Sequence, residues 1–184
     1  MPSKDRREPG YRDFTVDLEK GLFKNTILMY GAEEYLTDWA VRSLKNLFVD
    51  PASETMDFLV MDGRESSPAE IVSSCEIFPV LSNKRVVIIK DFTALKSPRE
   101  TGGNDQTGSD PLVDYIAEPN KSTVAVFTTP EIDGRNRIVK ALKKHGGIYN
   151  FESLSERELR SFAEKRFREA GVKIGKRQTS MLVG

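Results

Sequence analysis

The chain has one cysteine, Cys75, and one histidine, His145, among its 184 residues. A single cysteine excludes an internal disulfide, and one thiol with one imidazole leaves too few soft donors for a zinc centre. Cys75 is expected as a helix packing residue, because free cysteine behaves as a small hydrophobe. No stretch approaches the roughly 18 apolar residues of a membrane-spanning helix. Residues 1–10 are polar and charged and lack the apolar core of a secretory signal. A globular chain of the cytoplasm, with no membrane partner, is the expectation. No Ser/His/Asp set and no pair of catalytic carboxylates can be assembled, so no catalytic, metal or cofactor residue is assigned.

A further absence lies within Thr26-Ile-Leu-Met-Tyr-Gly-Ala-Glu-Glu-Tyr-Leu36. The first five residues predict a buried strand that breaks at Gly31 into a helix, the local geometry with which nucleotide-binding folds cradle phosphate. A working phosphate loop needs Gly-Lys-Ser/Thr at the helix start, so that the lysine neutralises phosphate and the hydroxyl holds magnesium. Here Gly31 and Ala32 are followed by Glu33 and Glu34. Two carboxylates suit the helix dipole and repel a triphosphate. The expectation is a degenerate phosphate loop, and a partner surface in place of a catalytic pocket.

What is present alternates. After the first strand, Leu36, Ala40, Leu44, Leu47 and Phe48 recur at helical spacing, up to Asp50-Pro51. Trp39 lies on that helix as a core or interface aromatic. Met56 to Met61 predicts a second strand. Ser67-Pro68-Ala69-Glu70 then supplies an N-cap, a proline at the first helical position and an acid three residues on, for a helix that Pro79 interrupts. Further strands are expected over Arg85 to Ile89, Thr123 to Thr128 and Ile148 to Phe151, with helices from Pro111 and over Arg135 to His145. Ser97 to Asp110 has no aliphatic or aromatic residue and is expected to be a loop. Val86-Val87-Ile88-Ile89 and Val124-Ala125-Val126-Phe127 are continuous apolar runs, as strands covered on both faces require. The fold class is therefore α/β, a doubly wound, mainly parallel five-stranded sheet flanked by helices.

Three segments are expected: a leader and amphipathic opening over 1–23, the α/β domain over 24–152, and the beginning of a truncated helical domain over 153–184. Ser155 and Glu158 mark that last boundary as a capping box. The net charge is zero, from 28 basic and 28 acidic residues, yet Arg135 to Arg177 holds thirteen Lys or Arg against five Glu. Such a stretch is read as solvated helix faces, with nucleic-acid binding as its alternative. Asp91, Thr128 and Thr129 sit at strand ends, where capping and turn roles are expected in place of metal or nucleotide sensing.

Ile77-Phe78-Pro79-Val80-Leu81 gathers apolar residues around a proline where a helix must end. Burial in the core and display to a partner both fit this cluster. Taken with Tyr30 to Leu36, the run Phe78 to Ile89, Pro119 to Val124, Leu142 to Lys144 and Leu154 to Leu159, the chain resembles the delta subunit of the bacterial DNA polymerase III clamp loader. The resemblance implies an AAA+-like fold without ATP-binding residues. It also implies a non-catalytic subunit that grips and opens the beta sliding clamp, with other clamp-loader subunits as neighbours and primed DNA met through the assembled complex. The family's apolar contact pair, commonly Leu-Phe, falls by register on Val80 and Leu81, with Phe78 and Ile77 beside it. Val-Leu presents less area, which at roughly 25 cal/mol per Å² weakens the contact by about 1 kcal/mol unless Phe78 compensates. The rival readings are a nucleotide-binding ATPase or kinase with an aberrant phosphate loop, and a basic DNA-binding module.

Overall fold

Strands that are apolar at every position need neighbours above, below and on both sides, and the two most apolar segments take the inner positions of the sheet. A computed structural model of the chain, which describes residues 8–96, 110–169 and 171, places them in β3 (Arg85–Lys90) and β4 (Thr123–Thr129). With β1 (Thr26–Tyr30), β2 (Phe58–Asp62) and β5 (Gly147–Asn150) they form one sheet in the order β2-β3-β4-β1-β5. Every pairing is parallel, with Thr26 opposite Ala125 and Ile27 opposite Gly147 flanking the first strand. The five-stranded parallel sheet is the one the sequence predicts.

Side-chain alternation then divides the core. Leu28, Val87, Ile89, Ala125 and Phe127 turn to one face and pack with α4 (Pro68–Cys75), α5 (Asp110–Ala117) and α6 (Arg137–His145). The opposite face is covered by α1 (Tyr11–Lys20) and α2 (Glu34–Phe48), which buries Leu36, Trp39, Ala40 and Leu44. Phe14 of α1 is the hub of an aromatic cluster, with ring centroids 5.1 Å from Tyr149, 5.2 Å from Phe23, 5.5 Å from Trp39 and 5.8 Å from Phe151. Tyr149 Oη also donates to Asp17 Oδ2 at 2.6 Å, which ties α1 to β5. At the start of β1, Asn25 Nδ2 donates to the carbonyls of Asn120, Lys121 and Thr123 and so fixes the turn into β4.

Several boundaries differ from expectation for local reasons. The opening helix starts at Tyr11 and closes at Gly21, whose left-handed φ of 65° ends it before Phe23. The second strand begins at Phe58, because Glu54–Asp57 forms a helical turn, α3, after a 3-10 turn at Pro51–Ser53. The capping box at Ser67 and Glu70 is formed as predicted, but α4 stops at Cys75, four residues before Pro79. Asn120 Nδ2 donates to the carbonyls of Cys75 and Glu76 there, satisfying acceptors that a continuing helix would use. The basic helix starts at Arg137 because Asn136 caps it, accepting from the amides of Ile138 and Val139. Its Arg137, Lys140, Lys143 and Lys144 are exposed while Ile138, Val139 and Leu142 are buried.

The chain divides into two compact units, Met1–Phe151 and Glu152–Gly184. The second contributes α7 (Glu156–Glu169), and at its start Glu158 Oε2 accepts from the amide and hydroxyl of Ser155, the glutamate half of the expected capping box. The expected leader up to residue 7, the polar loop over 97–109 and the last part of the expected helical domain, residues 172–184, lie outside the described residues.

Candidate partner-binding site

Two places in the first unit carry the residues singled out from the sequence. The degenerate phosphate loop occupies the turn from β1 into α2. Gly31 has φ 128°, and its amide donates to the carbonyl of Pro130 at 3.2 Å. Glu33 N donates to the carbonyl of Phe151 at 3.2 Å, while Phe151 N donates to the carbonyl of Tyr30 at 2.6 Å. Two of the amides that a phosphate cradle would present are thereby committed to the chain itself. The backbone of Phe151 lies so close that a Cβ on Gly31 would stand 2.2 Å from its carbonyl oxygen. Glu33 occupies the N-cap position of α2 without a side-chain capping bond, and Glu34 and Ala32 are exposed.

The neighbouring strand ends behave as turn and cap residues. Asp91 N donates to Thr128 Oγ1 at 3.3 Å, and Thr129 Oγ1 donates to the carbonyl of Glu131 at 3.0 Å. Asp133 Oδ1 accepts from the amide of Arg135 in the turn before α6. Among the described residues, no group of three or more His, Cys, Asp or Glu could hold a metal ion. Cys75 is fully buried, and its burial pushes the thiol up to about 12, so it is a packing residue without thiolate chemistry.

The second place is the segment between α4 and β3. Ile77 is 52% exposed, Phe78 70%, Val80 59% and Leu81 65%. These are four large apolar side chains in five residues, and each of them faces solvent. The sequence left burial and display open; in the structure the four side chains are not buried in the core. The cluster is carried by the irregular segment beyond α4, not by the end of the helix itself.

The segment is nonetheless held. Asp57, fully buried, receives Val80 N on Oδ1 at 2.7 Å, and Leu81 N and Ser82 N on Oδ2 at 3.1 and 3.0 Å. Ser53 Oγ donates to Oδ2 at 2.6 Å and lies 2.9 Å from Ser82 Oγ. Asp50 N donates to Ser82 Oγ, and Lys84 N to the carbonyl of Phe48. Arg85 Nη1 donates to the carbonyl of Met56, immediately before Asp57. Burial alone would raise the pKa of Asp57. The hydrogen bonds from Ser53, Val80 and Ser82 outweigh it and hold the carboxyl well below the usual carboxylate range. Three successive amides converging on one anion form a nest, and the anion is the protein's own.

Sequence reasoning missed Asp57, Ser53 and Ser82, because Asp57 lies in a run read as a strand. One signal was available: a lone acid between Met56 and Phe58 in an apolar segment is costly to bury unless it is hydrogen-bonded.

A sequence profile of the family described as DNA polymerase III, delta subunit, matches residues 27–152. The DNA polymerase III subunit delta of Bacillus subtilis is 28% identical over 152 residues, covering 82% of this chain and 44% of that protein. The solved Bacillus subtilis clamp loader delta protein superposes with a TM-score of 0.74 at 26% identity, covering 94% of this chain and 51% of the other. A gamma subunit-related protein of Thermotoga maritima, at 16% identity and a TM-score of 0.53, covers 86% of this chain and 52% of its own and shares the fold. The chain thus spans about half the length of the relatives it matches. With the profile spanning most of the sheet domain and the parallel five-stranded architecture shared, this chain belongs to the delta-subunit family of the DNA polymerase III clamp loader.

Proposed function

We propose that the chain binds the beta sliding clamp through Ile77, Phe78, Val80 and Leu81, and that the delta subunit to which it belongs opens the clamp ring for loading onto primed DNA in the cytoplasm. The observation that carries this reading is the display of those four side chains on an anchored segment. Apolar residues held out in water by a rigid support form a ready contact, because little conformational entropy is lost on docking. Binding that favours the open ring over the closed one shifts the ring toward opening by that difference in affinity. The remaining clamp-loader subunits and primed DNA are met in the assembled complex.

In this reading the chain is non-catalytic and takes no nucleotide. The support is that the amides of Gly31 and Glu33 already have backbone acceptors, and that Glu33 and Glu34 replace the cationic and hydroxyl groups a triphosphate needs. Titration calorimetry with ATP and Mg²⁺ is expected to give no binding heat. Micromolar affinity would favour the rival ATPase or kinase reading.

The direct test is retention on immobilised cognate clamp. Val80→Ser combined with Leu81→Ser is expected to weaken binding by about 100-fold, from the loss of two contact side chains worth roughly 1–2 kcal/mol each. The thermal melt should stay within about 2 °C of the parent, because neither side chain is in the core. A double variant that binds like the parent removes the assignment. So does one that unfolds, since that would place the two side chains in the core.

A further inference from the structure

We infer that Asp57 is the positioning residue of this contact, fixing the backbone of Val80, Leu81 and Ser82 so that the apolar side chains are presented in one conformation before the partner arrives. The inference rests on the clamp-binding reading and adds the device that makes the site pre-formed.

The observations come from geometry. The segment from Glu76 to Lys84 lies between α4 and β3 and forms no regular element, yet its middle is anchored at three consecutive amides. The anchor comes from a distant part of the chain, the α3 turn, itself braced by Ser53 and by the bond from Arg85 to the carbonyl of Met56. Backbone atoms are held while side chains remain in water: Asp57 is fully buried, whereas Val80 and Leu81 are more than half exposed. A carboxylate that merely filled a hole in the core would not need to gather the amides of the residues bearing the displayed side chains. Asparagine cannot replace it, because one of its two positions would carry an NH₂ facing amide donors. Without the carboxylate the segment samples many conformations, and apparent affinity falls by the fraction that remains competent.

The test combines hydrogen exchange with clamp-binding kinetics on the whole chain. In the parent, the amides of Val80, Leu81 and Ser82 are expected to exchange at least about 100-fold slower than in an unstructured peptide, despite their exposed side chains. In Asp57→Asn these three amides speed up toward the free-peptide rate while Val86 to Ile89 keep their protection. Clamp affinity drops about tenfold, chiefly through slower association. Ser53→Ala, which keeps the carboxylate, gives an intermediate loss of protection and serves if Asp57→Asn does not fold.

Fast exchange of the three amides in the parent overturns the inference without any variant. Parent-like clamp binding by Asp57→Asn, with the Val80→Ser/Leu81→Ser chain unable to bind, overturns the positioning role and leaves the contact assignment standing. Undiminished binding by that double variant removes the contact and the positioning role together.

Discussion

Gly31→Ala is expected to destabilise the first unit by roughly 3–4 kcal/mol and lower its melting temperature by about 10 °C. The residue's φ of 128° lies where side chains are strongly disfavoured, which alone costs of order 1–3 kcal/mol. The steric term adds to it. An added Cβ would stand 2.2 Å from the carbonyl oxygen and 2.5 Å from the carbonyl carbon of Phe151, and those are backbone atoms with no rotamer to escape into. Relief requires the end of β5 to move, breaking the bonds from Phe151 N to Tyr30 and from Glu33 N to Phe151. Circular dichroism melts of parent and variant decide the point. An unchanged melt would show that this turn accommodates a side chain and is not closed by Phe151. In a phosphate loop the glycine makes room for a ligand; here it makes room for a peptide group of the same chain.

Phe14→Ala is expected to cost about 3–5 kcal/mol, the range for truncating a fully buried aromatic ring. Phe14 has no exposed surface and lies against four other rings, three of them edge-on. Deleting it leaves Trp39, Tyr149, Phe23 and Phe151 around a cavity and removes the apolar anchor of α1. The bond from Tyr149 Oη to Asp17 and the Tyr11–Trp39 ring contact would remain, but neither fills that cavity. Urea unfolding followed by the fluorescence of Trp39, the single tryptophan, measures the effect. Phe14→Leu should recover more than half of the loss. A Phe14→Ala chain as stable as the parent would mean that α1 is dispensable to the sheet domain.

Much of this fold was legible because local signals and tertiary demands agree. The apolar runs of β3 and β4 sit where both faces are covered, the capping box at Ser67 starts α4, and Ser155 with Glu158 stands at the start of α7. Boundaries slipped where a distant residue decides them. Nothing near Cys75 in sequence announces that Asn120 will take its carbonyl, so the local pattern points to Pro79 while the helix ends at Cys75. The displayed cluster was legible as an oddity, but whether it is buried depends on what packs around it, which no local pattern specifies. Asp57 was not legible at all. Its role depends on amides more than twenty residues away, and its neighbours predicted a strand. The weight of α1 was equally hidden, since a short amphipathic segment gives no hint that its one fully buried ring will meet four others.

The order of strands imposes a schedule on synthesis. β1 leaves the ribosome first, yet both of its neighbours come from the far end of the domain, Thr26 pairing with Ala125 and Ile27 with Gly147. A strand whose middle is wholly apolar must therefore wait, unpaired, while about a hundred further residues are polymerised, which at roughly 5–20 residues per second takes several seconds. Early, non-local closure of this kind is slow and leaves the nascent chain open to association. A strand that ends up between two others in the finished sheet is thus the part of the newborn polypeptide most in need of shelter.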